Sequence, residues 1–161
     1  MDTTIISQLL LILAILTTGV VYGTDMFHMI AGKKAAALSK DSSIADLLGH
    51  THLVADKRMP AVGIASILCT ALFIFINCKD IAAVCFSGAA LAMLLAHLSL
   101  YLTVAKPINT KMSQAAIKGI VPENIRALQQ RWDSVINYRA GLLALAMIAF
   151  TLAAMNTKHC F

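Results

Sequence analysis

Charge is what this chain has least of. Only 13% of its 161 residues are Asp, Glu, Lys or Arg, while 59% are hydrophobic and mean hydropathy is +0.78. Soluble domains carry about 25% charged residues, so a soluble globular protein is excluded and an integral membrane protein is expected. Cysteine is scarce, with four in all. No Cys-x-x-Cys pair, Gly-rich phosphate loop or serine-nucleophile motif is present, which leaves hydrolase and nucleotide-dependent readings without a basis. The formal net charge is +5, but no basic motif is interleaved with aromatic residues, so nucleic acid is excluded as a partner.

What the sequence does contain is long apolar runs. A helix needs about 20 apolar residues to cross roughly 30 Å of hydrocarbon. Four stretches qualify, at about 5–29, 59–77, 81–104 and 140–156. Small residues recur within them (Gly19, Gly23, Gly63, Ser66, Ser87, Gly88), as close helix packing in lipid requires. The expected fold is all-α: one membrane domain, a four-helix bundle spanning residues 1–161. A cleaved signal peptide would need a basic start and a shorter apolar core, whereas this chain begins Met1-Asp2-Thr3-Thr4, so the first segment is expected to be a mature helix.

Basic residues set the expected orientation. Lys33, Lys34, Lys40, Lys57 and Arg58 follow the first run; Lys106, Lys111, Lys118, Arg126 and Arg131 precede the fourth; only Lys79 and Lys158 lie on the other side. The positive-inside rule places both long connections in the cytoplasm and both termini outside it, in a membrane expected to be the bacterial inner one. Each connection is expected to hold a short amphipathic helix. The first is capped by Ser42 and Ser43 and buries Leu47, Leu48 and Val54; the second lies around Met112, Ala115 and Ile117 and ends at Gly119. Pro60 is expected to open the second span, Pro107 to stop the third, and Pro122 to start a long final helix. Cys69 and Cys85 read as small apolar residues. Cys78 and Cys160 share the external side, where a disulfide is permitted.

The residues that invite a functional reading are ionisable groups in apolar surroundings. Asp25 and His28 stand three apart at the end of the first run, on the face that also carries Leu11, Ala14, Thr18 and Val21. His52 and Asp56 share a face at i,i+4, while His50 points away. His97 falls near the inner end of the third run, and Arg139 falls on a stripe of Ile125, Leu128, Trp132, Val135, Leu142 and Met147. The bland alternatives are an interhelical hydrogen bond for His97 and snorkelling to lipid phosphate for Arg139. The functional alternative gathers Asp25, His28, His52, His97 and Asp56 as a metal set, with His52, His97 and Arg139 as catalytic groups. Neutral imidazoles and carboxylates suit iron, copper or zinc, with haem the weaker alternative.

Tyr22-Gly23-Thr24-Asp25-Met26-Phe27, Gly49-His50-Thr51-His52, Asp56-Lys57-Arg58-Met59-Pro60, Pro107-Ile108-Asn109 and Arg131-Trp132-Asp133 with Arg139 together resemble the anthrone-oxygenase-like family of small four-helix membrane proteins. Pro107, Asn109, Trp132 and Arg139 match its Pro-x-Asn and Trp-to-Arg spacing. Many members place a His between that Trp and Arg, and this chain has none there. The resemblance implies a membrane oxygenase acting on a lipophilic, aromatic or quinone-like substrate, with Asn109 and Trp132 in contact with the bound group. The alternatives are a metal-, haem- or lipophile-binding or transport protein, or an accessory subunit whose polar residues hold helices together. Membrane lipid and a lipophilic small molecule are the expected partners, and a homo-oligomer is allowed.

Overall fold

The computed structural model describes residues 3–156, and Lys158 and Cys160 lie outside the described residues. The described chain is all-α and contains four long helices: α1 Thr3–Leu38, α2 Asp41–Ile76, α3 Ile81–Ile117 and α4 Ile125–Asn156. Each is long and apolar enough to cross a membrane. At 1.5 Å per residue, the 36 residues of α1 or α2 extend about 54 Å, well beyond the hydrocarbon thickness.

These helices contribute to two compact units. The first takes residues up to 23, 61–97 and from 141 onward; the second takes 24–60 and 98–140. The first unit is a four-helix bundle around Leu11, Ala14, Phe73, Ala83, Ala90, Leu94, Leu143, Ala146 and Phe150. Alanine and serine at the contacts let the backbones approach closely. Two pairs of buried polar groups meet across helices: Thr18 with Ser66, and Asn77 Nδ2 donating to Ser7 Oγ at 2.7 Å. Its outward faces carry Leu13, Leu16, Leu72 and Phe75, all exposed, a surface that suits lipid.

The second unit has its own core of Ile44, Ala45, Ala105, Ile108, Met112, Ile125, Leu128, Trp132 and Ile136. Three π-helical turns fall within it, at His28–Gly32, Ile44–Leu48 and Tyr101–Ala105. Each wider turn changes the face that the following residues present, and such turns are frequent at functional sites. The expected separate amphipathic helices are therefore extensions of the long ones. Backbone angles stay in the right-handed helical region through Ser43–Gly49 and Leu100–Lys106. The expected burial of Leu47 and Val54 is corrected, since both are exposed while Ile44 and Ala45 are buried. On α4 the buried stripe takes Ile136 and Leu143 in place of Val135 and Leu142.

Two prolines also behave differently from expectation. Pro60 lies inside α2, where its missing N–H leaves the Asp56 carbonyl without the usual i−4 bond. Pro107 lies inside α3, in the first turn after the π segment, where an absent N–H costs least. Pro122 precedes α4, which starts at Ile125, and its carbonyl accepts from Ile125 N at 3.0 Å. Gly119 does end α3: at φ +64° it sits in the left-handed region, with bonds from Gly119 N to Ala116 O and from Ile120 N to Ala115 O.

Two glycines mark close approaches. A Cβ on Gly49 would lie 2.6 Å from Ala116 Cβ and 2.7 Å from Met112 O, so α2 and α3 touch there through backbone, and Ser113 Oγ donates to Gly49 O at 3.1 Å. A Cβ on Gly32 would lie 2.6 Å from His28 Nδ1.

Candidate functional site

All of the site described here lies within the second unit. Its centre is the ion pair between Arg139 on α4 and Asp25 on α1, with Nη2 to Oδ1 at 3.0 Å and both side chains buried. The arrangement follows from periodicity. Asp25 continues the buried face of Leu11, Ala14 and Thr18, and Arg139 continues that of Ile125, Leu128, Trp132 and Ile136. Two charges taken out of water are tolerated when each has the other, so neither residue is a snorkelling anchor in this fold.

Aromatic rings surround the guanidinium. Its carbon lies 5.7 Å from the Trp132 ring centroid and 6.0 Å from that of Tyr101, within cation–π range. Trp132 in turn receives two imidazoles. His28 meets it edge-on at 5.1 Å and 70°, and His52 lies tilted at 5.5 Å and 43°. The His28 ring occupies the space left by the missing side chain of Gly32, one π-helical turn along.

Beside these, Asp56 on α2 holds two groups of α3. Its Oδ1 accepts from Tyr101 Oη at 3.0 Å and from Asn109 Nδ2 at 2.9 Å. Tyr101 thus belongs both to the Asp56 set and to the aromatic wall around Arg139.

Three polar atoms in this neighbourhood are buried and, among the described residues, have no hydrogen-bond partner: His52 Nε2, Trp132 Nε1 and Asn109 Oδ1. Their residues are only 5%, 5% and 4% exposed. A buried polar group without a partner is costly, and native proteins keep few of them. Three in one network give the site one donor (Trp132), one acceptor (Asn109) and one imidazole nitrogen able to take either part.

The residues expected from sequence are therefore mostly gathered. Asp25, His28, His52, Trp132 and Arg139 form one contact network, and Asp56 with Asn109 joins it through Tyr101. His50 is exposed and bonds Asp46 O at 2.9 Å. His97 is half-buried and belongs to the first unit. Among the described residues, no three His, Cys, Asp or Glu side chains are grouped to hold a metal ion. Asp25 is committed to Arg139, and Asp56 to Tyr101 and Asn109. Tyr101 and Gly32 join the site through their contacts alone. Tyr101 reads as an ordinary apolar aromatic near the end of a run, and nothing in sequence ties Gly32 to the ring four residues before it. No protein-family model, no curated protein and no solved structure matches the chain.

Proposed function

We propose that this protein is a membrane oxygenase-like enzyme that takes a lipophilic, aromatic or quinone-like substrate by its polar end at the His52, Trp132 and Arg139 site. The single observation that carries this reading is the set of three buried polar atoms without protein partners beside a buried guanidinium. A ligand that met them would leave its apolar body to the surrounding apolar side chains and lipid. The family resemblance supplies the class of reaction, conversion of an activated ring methylene to a carbonyl.

The residues divide the work as follows. In its uncharged form His52 Nε2 accepts a proton from the activated carbon. The enolate oxygen that develops is stabilised by Arg139 and by the Trp132 Nε1–H, donors already fixed by packing. Asp25 holds the guanidinium in place. Dioxygen is the oxidant: the methylene loses two hydrogens and gains one oxygen atom, and the second oxygen atom leaves as water. Nothing in the mechanism is routed through a metal: Asp25 and Asp56 are engaged with other partners, and among the described residues no three His, Cys, Asp or Glu side chains are grouped to hold one.

Oxygen uptake by purified protein in detergent, with a hydroxylated anthrone as probe, tests this. The expected result is one dioxygen consumed per carbonyl formed, with His52→Ala slowing turnover by about 10²–10⁴-fold. Tight binding of the anthrone without turnover would replace the enzyme with a lipophile carrier using the same atoms. Stoichiometric iron, copper or zinc, lost in His52→Ala, would overturn the metal-free mechanism.

A further inference from the structure

We infer that the ligand of this site must donate a hydrogen bond to Asn109 Oδ1, so that the site selects a lipophile with a free hydroxyl or N–H over the matching ether. The inference rests on the ligand-binding part of the proposed function and adds a specificity that neither the resemblance nor the reaction requires.

The geometry begins with Asp56. Its Oδ1 accepts from both Tyr101 Oη and Asn109 Nδ2. The two ends of a side-chain amide look alike in shape, and only the hydrogen-bond network decides which is which. Here the decision is firm, because a carboxylate oxygen already accepting one donor presents an acceptor to Asn109, and only the NH₂ end can answer it. The amide oxygen is thereby turned away from Asp56, and there it is buried and unmet. An amide oxygen accepts only, so what completes it is a donor. Asp56 is thus a positioning residue and Asn109 the group that reads the ligand.

Trp132 adds the complementary half. Its Nε1–H donates only, is equally buried, and is equally unmet. A ligand satisfying both therefore carries a donor and an acceptor, as a hydroxylated aryl ketone does. A site with buried acceptors discriminates strongly against an analogue lacking the donor, because the analogue leaves them unpaired in a dry surround.

The test uses the full-length protein in detergent and two probes, 4-hydroxybenzophenone and 4-methoxybenzophenone, which share the ketone acceptor; the second has a methyl group in place of the hydrogen that would be donated. Trp132 is the only tryptophan of the chain, so quenching of tryptophan fluorescence reports occupancy beside it directly. The expected result is binding of the hydroxy compound at least about tenfold tighter than the methoxy compound. In Asn109→Leu the preference should vanish through loss of affinity for the hydroxy probe alone. Asp56→Asn, which frees the amide to turn either way, should narrow the preference without abolishing binding. Equal affinities in the unaltered protein would overturn the inference and leave the lipophile site standing. A preference that survives Asn109→Leu would assign the donor's partner elsewhere and overturn it too. Quenching by neither compound would remove the site itself.

Discussion

Arg139 and Asp25 show what an ionisable residue in an apolar stretch signifies. Both can be picked out in the sequence because charge there is expensive, and the structure joins them over 114 positions at 3.0 Å. Removing one partner takes from the other its buried counter-charge. Arg139→Met should therefore destabilise the protein by about 3–5 kcal/mol in denaturant titrations, and Asp25→Asn combined with Arg139→Met should recover part of that loss. A double variant whose loss is the sum of the losses of Arg139→Met and Asp25→Asn taken singly would show that the pair is not coupled. Tyr101 and Gly32 were hidden for the opposite reason, since neither is unusual for its surroundings and their roles arise only from partners. Gly32→Ala puts a methyl where His28 Nδ1 lies, so the imidazole must leave its edge-on contact with Trp132. A shift in tryptophan emission, with helical content unchanged, is expected; identical emission would mean that the ring has other room.

At the scale of elements, helix existence is written plainly in the sequence, but helix continuity is not. Pro60 and Pro107 read as boundaries because proline lacks an N–H, yet both sit within longer helices whose other bonds carry the chain past them. The π turns are the larger cause of misreading. Ile44–Leu48 inserts an extra residue in its turn, so a strict 3.6-residue pattern assigns burial to Leu47 and Val54 when it belongs to Ile44 and Ala45. One contact ties these pieces together at the break between α1 and α2. Arg126 pairs with Asp41 and donates to the carbonyls of Ala36, Ala37 and Ser39, closing the end of α1. The surface ion pair alone is worth little, but the capped carbonyls add to it. Arg126→Ala should cost about 1–2 kcal/mol and loosen α1 near Leu38 in hydrogen exchange. Unchanged protection there would assign the end of α1 to other contacts. Gly49→Ala, which sets a methyl against Met112 O, should cost about 1–3 kcal/mol through overpacking.

For the whole molecule, four apolar helices follow from composition alone, since hydrocarbon leaves a chain few other ways to satisfy its backbone. The division into two units does not follow, because nothing in a list of apolar residues shows that His97 and His52 belong to different clusters of contacts. The expected orientation is tested with Cys78, which is exposed, against a cysteine placed at Lys40. In intact cells an impermeant maleimide should label Cys78 and leave Lys40→Cys untouched; labelling at position 40 would reverse the orientation.

The second unit is proposed to hold the polar end of a lipophile. Photocrosslinking with 4-hydroxybenzophenone, mapped by peptide mass spectrometry and repeated with an excess of a hydroxylated anthrone as competitor, is the measurement that decides it. Adducts that the competitor suppresses are expected within residues 24–60 and 98–140, concentrated near His52, Trp132 and Asn109. Adducts confined to the apolar runs of the first unit, or unaffected by the competitor, would contradict it.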